Sequence, residues 1–145
     1  MANDPRAVRQ YLENQIRTAS REQLLLLLFD GAIRFSEQAR HRLAGREIEE
    51  GLRLLVRAQH VVLEVMNGLD RGVGEELYRN LVGLYGFVYG RLVQAGTTVD
   101  PAPIDEALVI LRRLRETWGD AVMQLRQEQA SEAAATVTQS TKQTG

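Results

Sequence analysis

Proline occurs in this chain at Pro5, Pro101 and Pro103 and nowhere between. Proline removes a backbone donor and clashes with the turn before it, so its placing limits where long helices can run. The long proline-free interval is rich in Leu, Glu, Arg, Gln and Ala, which favour helix. No stretch alternates apolar and polar residues at the strand period of two. The sequence therefore predicts an all-α protein.

Punctuation divides it into helices. A short first helix spans about Pro5 to Ile16, with Asn3 or Asp4 as cap and proline in its first turn. Ser20 followed by Gln23 forms a capping box that opens a long helix. That helix ends near Leu43, where Gly45 can take the left-handed conformation after the last turn. A second long helix is expected from about Arg46 to Leu69, followed by a turn at Asp70-Arg71-Gly72-Val73-Gly74. A third runs from about Glu75 to Ala95, stopped by Gly96. A last helix starts near Pro103 and ends near Gln129. Residues 130–145 hold few large apolar groups and are expected to be disordered. Short loops between long helices make antiparallel neighbours. The predicted architecture is an antiparallel four-helix bundle over 18–129, with an N-terminal flap at 1–17 and a tail at 130–145.

Helical phasing at 100° per residue sorts the faces. In the first long helix Leu25, Leu28, Phe29, Ala32, Phe35, Ala39 and Leu43 form the core stripe. Leu26 and Ile33 fall on its flank, and Leu27 lies among polar residues as a scattered exposed leucine. In the second, the core stripe is read as Ile48, Leu52, Leu55, Val56, Gln59, Val62, Leu63 and Met66. Leu54, Val61 and Val65 make a second apolar row. In the third, Leu77, Leu81, Leu84, Tyr85, Val88 and Leu92 are read as core, with Val82, Tyr89 and Val93 alongside. Gly83, Gly86 and Gly90 face one way beside that row and leave a shallow trough. Phe87 projects separately. A helix apolar over more than half its circumference is buried on two sides or presents one side to a partner. Two readings of the surplus stay open: a wide core, or a partner groove covered in part by Val8, Tyr11, Leu12 and Ile16 of the first helix.

Several functions are disfavoured. The chain has 18 basic and 19 acidic residues and a net charge of −1, without the basic excess of a nucleic-acid binder. It has no cysteine, so disulfides and thiolate metal sites are excluded. The N-terminus lacks a signal-peptide core. The longest strictly apolar run, Leu24 to Phe29, falls far short of the ~20 residues of a membrane span. A soluble, intracellular protein without membrane insertion is expected. His41 and His60 lie on different helices with no carboxylate at bundle-metal spacing, and no nucleophile–base set appears. Enzyme activity, metal and cofactor are not expected.

The residues carry a resemblance. Thr18-Ala19-Ser20-x-Glu22-Gln23-Leu24, running into Leu28-Phe29-Asp30-Gly31-Ala32-Ile33-Arg34-Phe35, resembles the signature of the flagellar export chaperone FliS family. So do Arg57-Ala58-Gln59 with the later Leu69-Asp70, and Leu81 through Arg91-Leu92 with Leu84-Tyr85 and Tyr89. Leu111-x-x-Leu114-Arg115-Glu116-x-Trp118 resembles the family's last helix. The matches extend from about Tyr11 to Val122. Two features depart from the pattern. Many relatives have proline where Arg21 stands, and larger or charged residues at 83, 86 and 90.

The resemblance implies a cytosolic four-helix bundle that binds the C-terminal segment of flagellin. It also implies that the bundle keeps that segment from polymerising early and delivers it to a flagellar type III export gate component. It implies an N-terminal flap, bearing a tyrosine such as Tyr11, over part of the binding surface. The partner-binding set expected here is Tyr11, Ile16, Leu26, Ile33, Leu54, Val61, Val65, Val82, Gly83, Gly86, Tyr89, Gly90 and Val93. The competing expectation is a self-associating bundle or scaffold without a folding client, whose surplus rows form a homodimer interface.

Overall fold

The computed structural model describes residues 5–7 and 20–144. Residues 5–7 are helical. The expected flap residues Tyr11 and Ile16 lie outside the described residues. Four long helices follow: α1 (Arg21–Ala44), α2 (Ile48–Asn67), α3 (Glu75–Thr98) and α4 (Ala102–Thr144). A single 3-10 turn, Arg71–Val73, lies between α2 and α3.

The helix ends follow local chemistry. Ser20 Oγ accepts from the Gln23 backbone N–H at 3.2 Å, and the Ser20 N–H donates to Gln23 Oε1 at 3.0 Å. This is the capping box expected from sequence, and it satisfies two donors that a helix start leaves open. At the other end of α1 the left-handed residue is Arg46 (φ 61°), whereas Gly45 has φ −82°. The Gly45 N–H still closes the last turn on His41, and an Arg42–Glu47 ion pair at 2.5 Å straddles the bend. Asp70 caps the short turn by accepting from the Gly72 N–H at 3.0 Å. Gly74 follows at φ 111°, a conformation closed to side-chain-bearing residues.

α3 does not stop at Gly96 but runs to Thr98, with Val99 left-handed at φ 52°. Gly96 is held inside the helix by packing: a Cβ there would lie 3.7 Å from Leu52 Cδ2 and Leu55 Cδ1. Asp100 accepts from the Ala102 N–H at 2.9 Å and starts α4. Pro101 and Pro103 stand at that start, where a missing N–H costs no helical bond.

α4 also corrects the expectation for the tail. It continues through residues 130–144, and every side chain described between Met123 and Ser140 is exposed. Glu132 and the alanines at 133–135 propagate a helix already nucleated by the bundle. Burial is therefore not what makes this segment helical.

α1 packs on α2 and α4, and α3 packs on the same two helices from the other side. The four helices thus form a ring with four seams. Phe29, Leu55, Val62, Tyr85, Val88, Leu92, Ile104, Leu108 and Leu111 fill the centre. Phe29 of α1 and Tyr85 of α3 meet across the diagonal with ring centroids 6.2 Å apart.

The phase of α2 differs from the sequence reading. Its buried residues are Gly51, Leu54, Leu55, Ala58, Val62 and Val65. Ile48 and Val56, read as core, are 46% and 47% exposed. The cause lies at the α1–α2 bend. A Cβ on Gly51 would come within 2.7 Å of Leu43 Cδ2. Gly51, and Ala58 two turns further along the same face, leave room for α1 to approach closely and turn α2 that way. In α3, Leu77 and Leu84 were likewise read as core and are largely exposed, while Ala95 is buried.

Candidate functional site

The seams of the ring differ in what closes them. Three ion pairs cross from α1 to α4: Asp30–Arg115 at 2.8 Å, Glu37–Arg112 at 2.6 Å and Arg40–Asp105 at 2.7 Å. The Arg40 guanidinium has its pKa raised, chiefly by the hydrogen bond it donates to Asp105. Helical phase puts Leu26 and Ile33 on this ion-paired side, and Ile33 packs against the core. They do not join the apolar rows of α2 and α3.

The α1–α2 seam is closed by apolar packing. Leu54 and Val65 are buried in it, and Val61 is half-buried against the core. The Arg57 guanidinium sits 5.8 Å from the centre of the Phe35 ring at its edge. The row Leu54, Val61 and Val65, expected from sequence to line a groove, therefore faces α1. The α3–α4 seam carries one pair, Arg91–Glu106 at 3.4 Å.

Among the described residues no ion pair crosses the remaining seam, between α2 and α3. The contact of Gly96 with Leu52 and Leu55 fixes an antiparallel register there. In that register Val56 lies alongside Val93, Gln59 alongside Tyr89, Leu63 alongside Gly86, and Met66 alongside Val82. Leu52, Gln59, Leu63, Met66 and Tyr89 are half-buried. Val56 is 47%, Val82 38% and Val93 37% exposed. A Cβ added at Gly83, Gly86 or Gly90 would meet nothing within 4 Å, so the trough beside this row is open.

The result is a long, largely apolar strip with one side on α2 and the other on α3. Its α3 wall is the row read from sequence. Its α2 wall is the row that sequence reading assigned to the core. Gln59 was the available signal, because an amide in a supposed core stripe marks a half-wet row.

The rest of α3 reinforces this. From Leu81 to Val93 the only charged residue is Arg91, which is paired with Glu106 and lies 5.2 Å from the centre of the Phe87 ring. Leu84 and Phe87 are exposed on the α4 side of the same helix. Leu27, read from sequence as a scattered exposed leucine, is 43% exposed.

A second apolar feature lies at the end of the bundle where α1 begins. A cavity of about 340 Å³ is lined by Leu24, Leu25, Leu28, Val65, Leu69 and Trp118 among others, with Glu22, Glu64, Asp70 and Arg21 contributing charge. Tyr85 reaches it from α3. Burial pushes the Tyr85 phenol above its ordinary pKa, and a hydrogen bond with Trp118 opposes that shift.

Among the described residues no cluster of His, Asp and Glu is placed to hold a metal ion. His41 and His60 are exposed on separate helices. No described helix is long and apolar enough to cross a membrane.

A ring of four helices with an exposed apolar strip along one seam fits a helical binding protein of the bundle-chaperone kind. The comparisons with known proteins give the family. The family model described as flagellar protein FliS matches residues 2–125, and the chain belongs to that family. It is 31% identical to the flagellar secretion chaperone FliSB of Pseudomonas aeruginosa over 117 residues, covering 78% of this chain and 93% of that protein. It is 27% identical to the flagellar secretion chaperone FliS of Bacillus subtilis over 118 residues, covering 81% and 87% respectively. A crystal structure of a bacterial flagellar chaperone superposes with a TM-score of 0.68 at 20% identity, over 84% of this chain and 99% of that one, which establishes the shared fold. The family is one of chaperones and not of enzymes.

Proposed function

We propose that this protein is a flagellar export chaperone that holds the C-terminal segment of flagellin in the groove between α2 and α3. The observation that carries this reading is α3 from Leu81 to Val93, which holds a single charge and leaves Val82, Leu84, Phe87 and Val93 in solvent. A helix apolar on all sides is ordinarily buried on all sides. The names of the relatives, flagellar secretion chaperones, supply the class of client.

The mechanism is sequestration. An amphipathic segment lays its apolar face into the groove, as in other helix-in-groove recognition. Its polymerising surface is then buried until it is handed to the export apparatus. Val56, Val82, Tyr89 and Val93 supply apolar contact, and Gln59 offers an amide to the client backbone. The open trough at Gly83, Gly86 and Gly90 lets a client backbone approach α3 closely. In this cycle the segment bearing Tyr11 and Ile16 covers apolar surface in the free protein and yields to the client, which lowers apparent affinity by the closed fraction. The setting is the bacterial cytosol, before export.

The test is calorimetric titration of a flagellin C-terminal peptide into the chain and into Val56→Asp and Val93→Asp. Both variants keep the wild-type helical signal and weaken binding at least about tenfold, because a charge replaces apolar contact in the groove. Wild-type affinity in both variants would rule the groove out.

A further inference from the structure

Two arginines of α1 and α2 converge on one aromatic ring. The guanidinium of Arg34 lies 5.3 Å, and that of Arg57 5.8 Å, from the centre of the Phe35 ring. Both arginines are exposed, and neither forms an ion pair among the described residues. Their neighbours differ: Arg40 pairs with Asp105, Arg42 with Glu47 and Arg53 with Glu50. A cavity of about 400 Å³ lies beside the ring on the α1–α2 seam, lined by Phe35, Gln38, His41, Leu54 and Arg57 among others. The two carboxylates that also line it are already engaged, Glu37 by Arg112 and Glu50 by Arg53. The Glu50 carboxyl is held below the usual carboxylate range first by the Arg53 hydrogen bond, and Arg57 is the weakest of the charges acting on it.

An aromatic face attracts each guanidinium, yet two cations held at one ring repel each other. An anion bound by both turns that repulsion into attraction. Stacking on the ring also orders two long side chains in advance, so less rotamer entropy is lost when a partner arrives. A guanidinium fork matches a carboxylate through two parallel hydrogen bonds. Phe35 and Leu54 give the stem of an acidic side chain an apolar floor, with the Gln38 amide at the same cavity. Two carboxylates one turn apart on a helix, with about 6 Å between their Cβ atoms, suit a site with two arginines. The chain's net charge of −1 supplies no field that would gather a polyanion such as nucleic acid, which favours a protein segment. We infer that Arg34, Phe35 and Arg57 form a docking site for an acidic helical segment of a partner protein. The site lies on the α1 side of α2, whereas the apolar strip lies on its α3 side, so the two surfaces are separate. The inference does not depend on what the strip holds.

Nuclear magnetic resonance titration of the full chain tests the site, read at backbone amides and at the arginine Nε–H groups. The probe is a helical alanine-based peptide with two glutamates one turn apart, and its glutamine counterpart is the control. The glutamate peptide shifts the signals of Arg34, Phe35 and Arg57 saturably, with a dissociation constant below about 1 mM at low ionic strength. Added salt weakens it, as expected for exposed charges. The glutamine peptide gives no saturable shift. Arg34→Gln combined with Arg57→Gln keeps the wild-type circular dichroism, because both side chains are exposed, and weakens glutamate-peptide binding at least about tenfold. Equal responses to the two peptides overturn the inference, as does wild-type affinity in the double variant. Shifts spread evenly over the exposed arginines, or no saturation by about 10 mM peptide, also overturn it. Inorganic phosphate binding the same arginines as tightly as the glutamate peptide assigns the site to small anions and overturns the protein partner.

Discussion

Two valines on α2 separate the phase seen in the structure from the phase read in the sequence. Val65 is 4% exposed, and Val56 is 47% exposed. Val65→Asp removes a nearly fully buried side chain, worth about 2 kcal/mol of transfer free energy. It also forces a carboxylate into an apolar seam, which adds several kcal/mol whether the group ionises or takes up a proton. The total, roughly 5 kcal/mol, is comparable with the whole stability of an ordinary domain. Val56→Asp forfeits at most about half of one valine's burial, on the order of 1 kcal/mol. Urea unfolding followed by helical circular dichroism measures both. Val65→Asp is largely unfolded or melts at far lower denaturant, and Val56→Asp stays close to wild type. A stable Val65→Asp, or an unfolded Val56→Asp, would refute the assignment of α2's two rows and with it the groove.

Two further outcomes concern buried polar groups. The Ser36 hydroxyl is fully buried with no hydrogen-bond partner among the described residues. Ser36→Ala removes that unsatisfied group and raises stability by about 1 kcal/mol, read from the denaturation midpoint. Tyr85 has its pKa raised by burial, so as pH rises the unfolded chain gives up this proton first. Between the ordinary tyrosine value of about 10 and the higher folded value, the native state binds more protons, and stability falls as pH climbs. Melts across that window show the decline in wild type and a smaller one in Tyr85→Phe.

Local chemistry was the most legible part of the sequence. The Ser20/Gln23 capping box and the turn at Asp70 to Gly74 depend on residues a few positions apart, and the structure has both. The stripe of α1 through Phe29, Ala32, Ala39 and Leu43 is buried as read, with Leu25, Leu28 and Phe35 packed at its edge. Long-range packing was not legible. α2 has apolar rows on two sides, and hydrophobicity alone does not say which row meets which neighbour. The deciding contact, Gly51 against Leu43, joins two helices across a bend. Gly96 looked like a stop because glycine weakens a helix, but Leu52 and Leu55 pack over it. Gly45 likewise yielded the left-handed position to Arg46. On α3 the row Val82, Tyr89 and Val93 was visible as surplus, yet its counterpart on α2 was hidden by the wrong phase. Leu26 and Ile33 were expected among the partner-binding residues, but nothing in their spacing disclosed the three ion pairs that cross their side of α1.

Hydrogen exchange with and without a flagellin C-terminal peptide tests the central claim most directly, because it locates the client without altering the chain. Occupancy of the groove slows exchange along residues 52–66 of α2 and 81–97 of α3, and leaves the ion-paired faces of α1 and α4 unchanged. Protection confined to α1 and α4, or no protection along α3 under saturating peptide, would contradict the account.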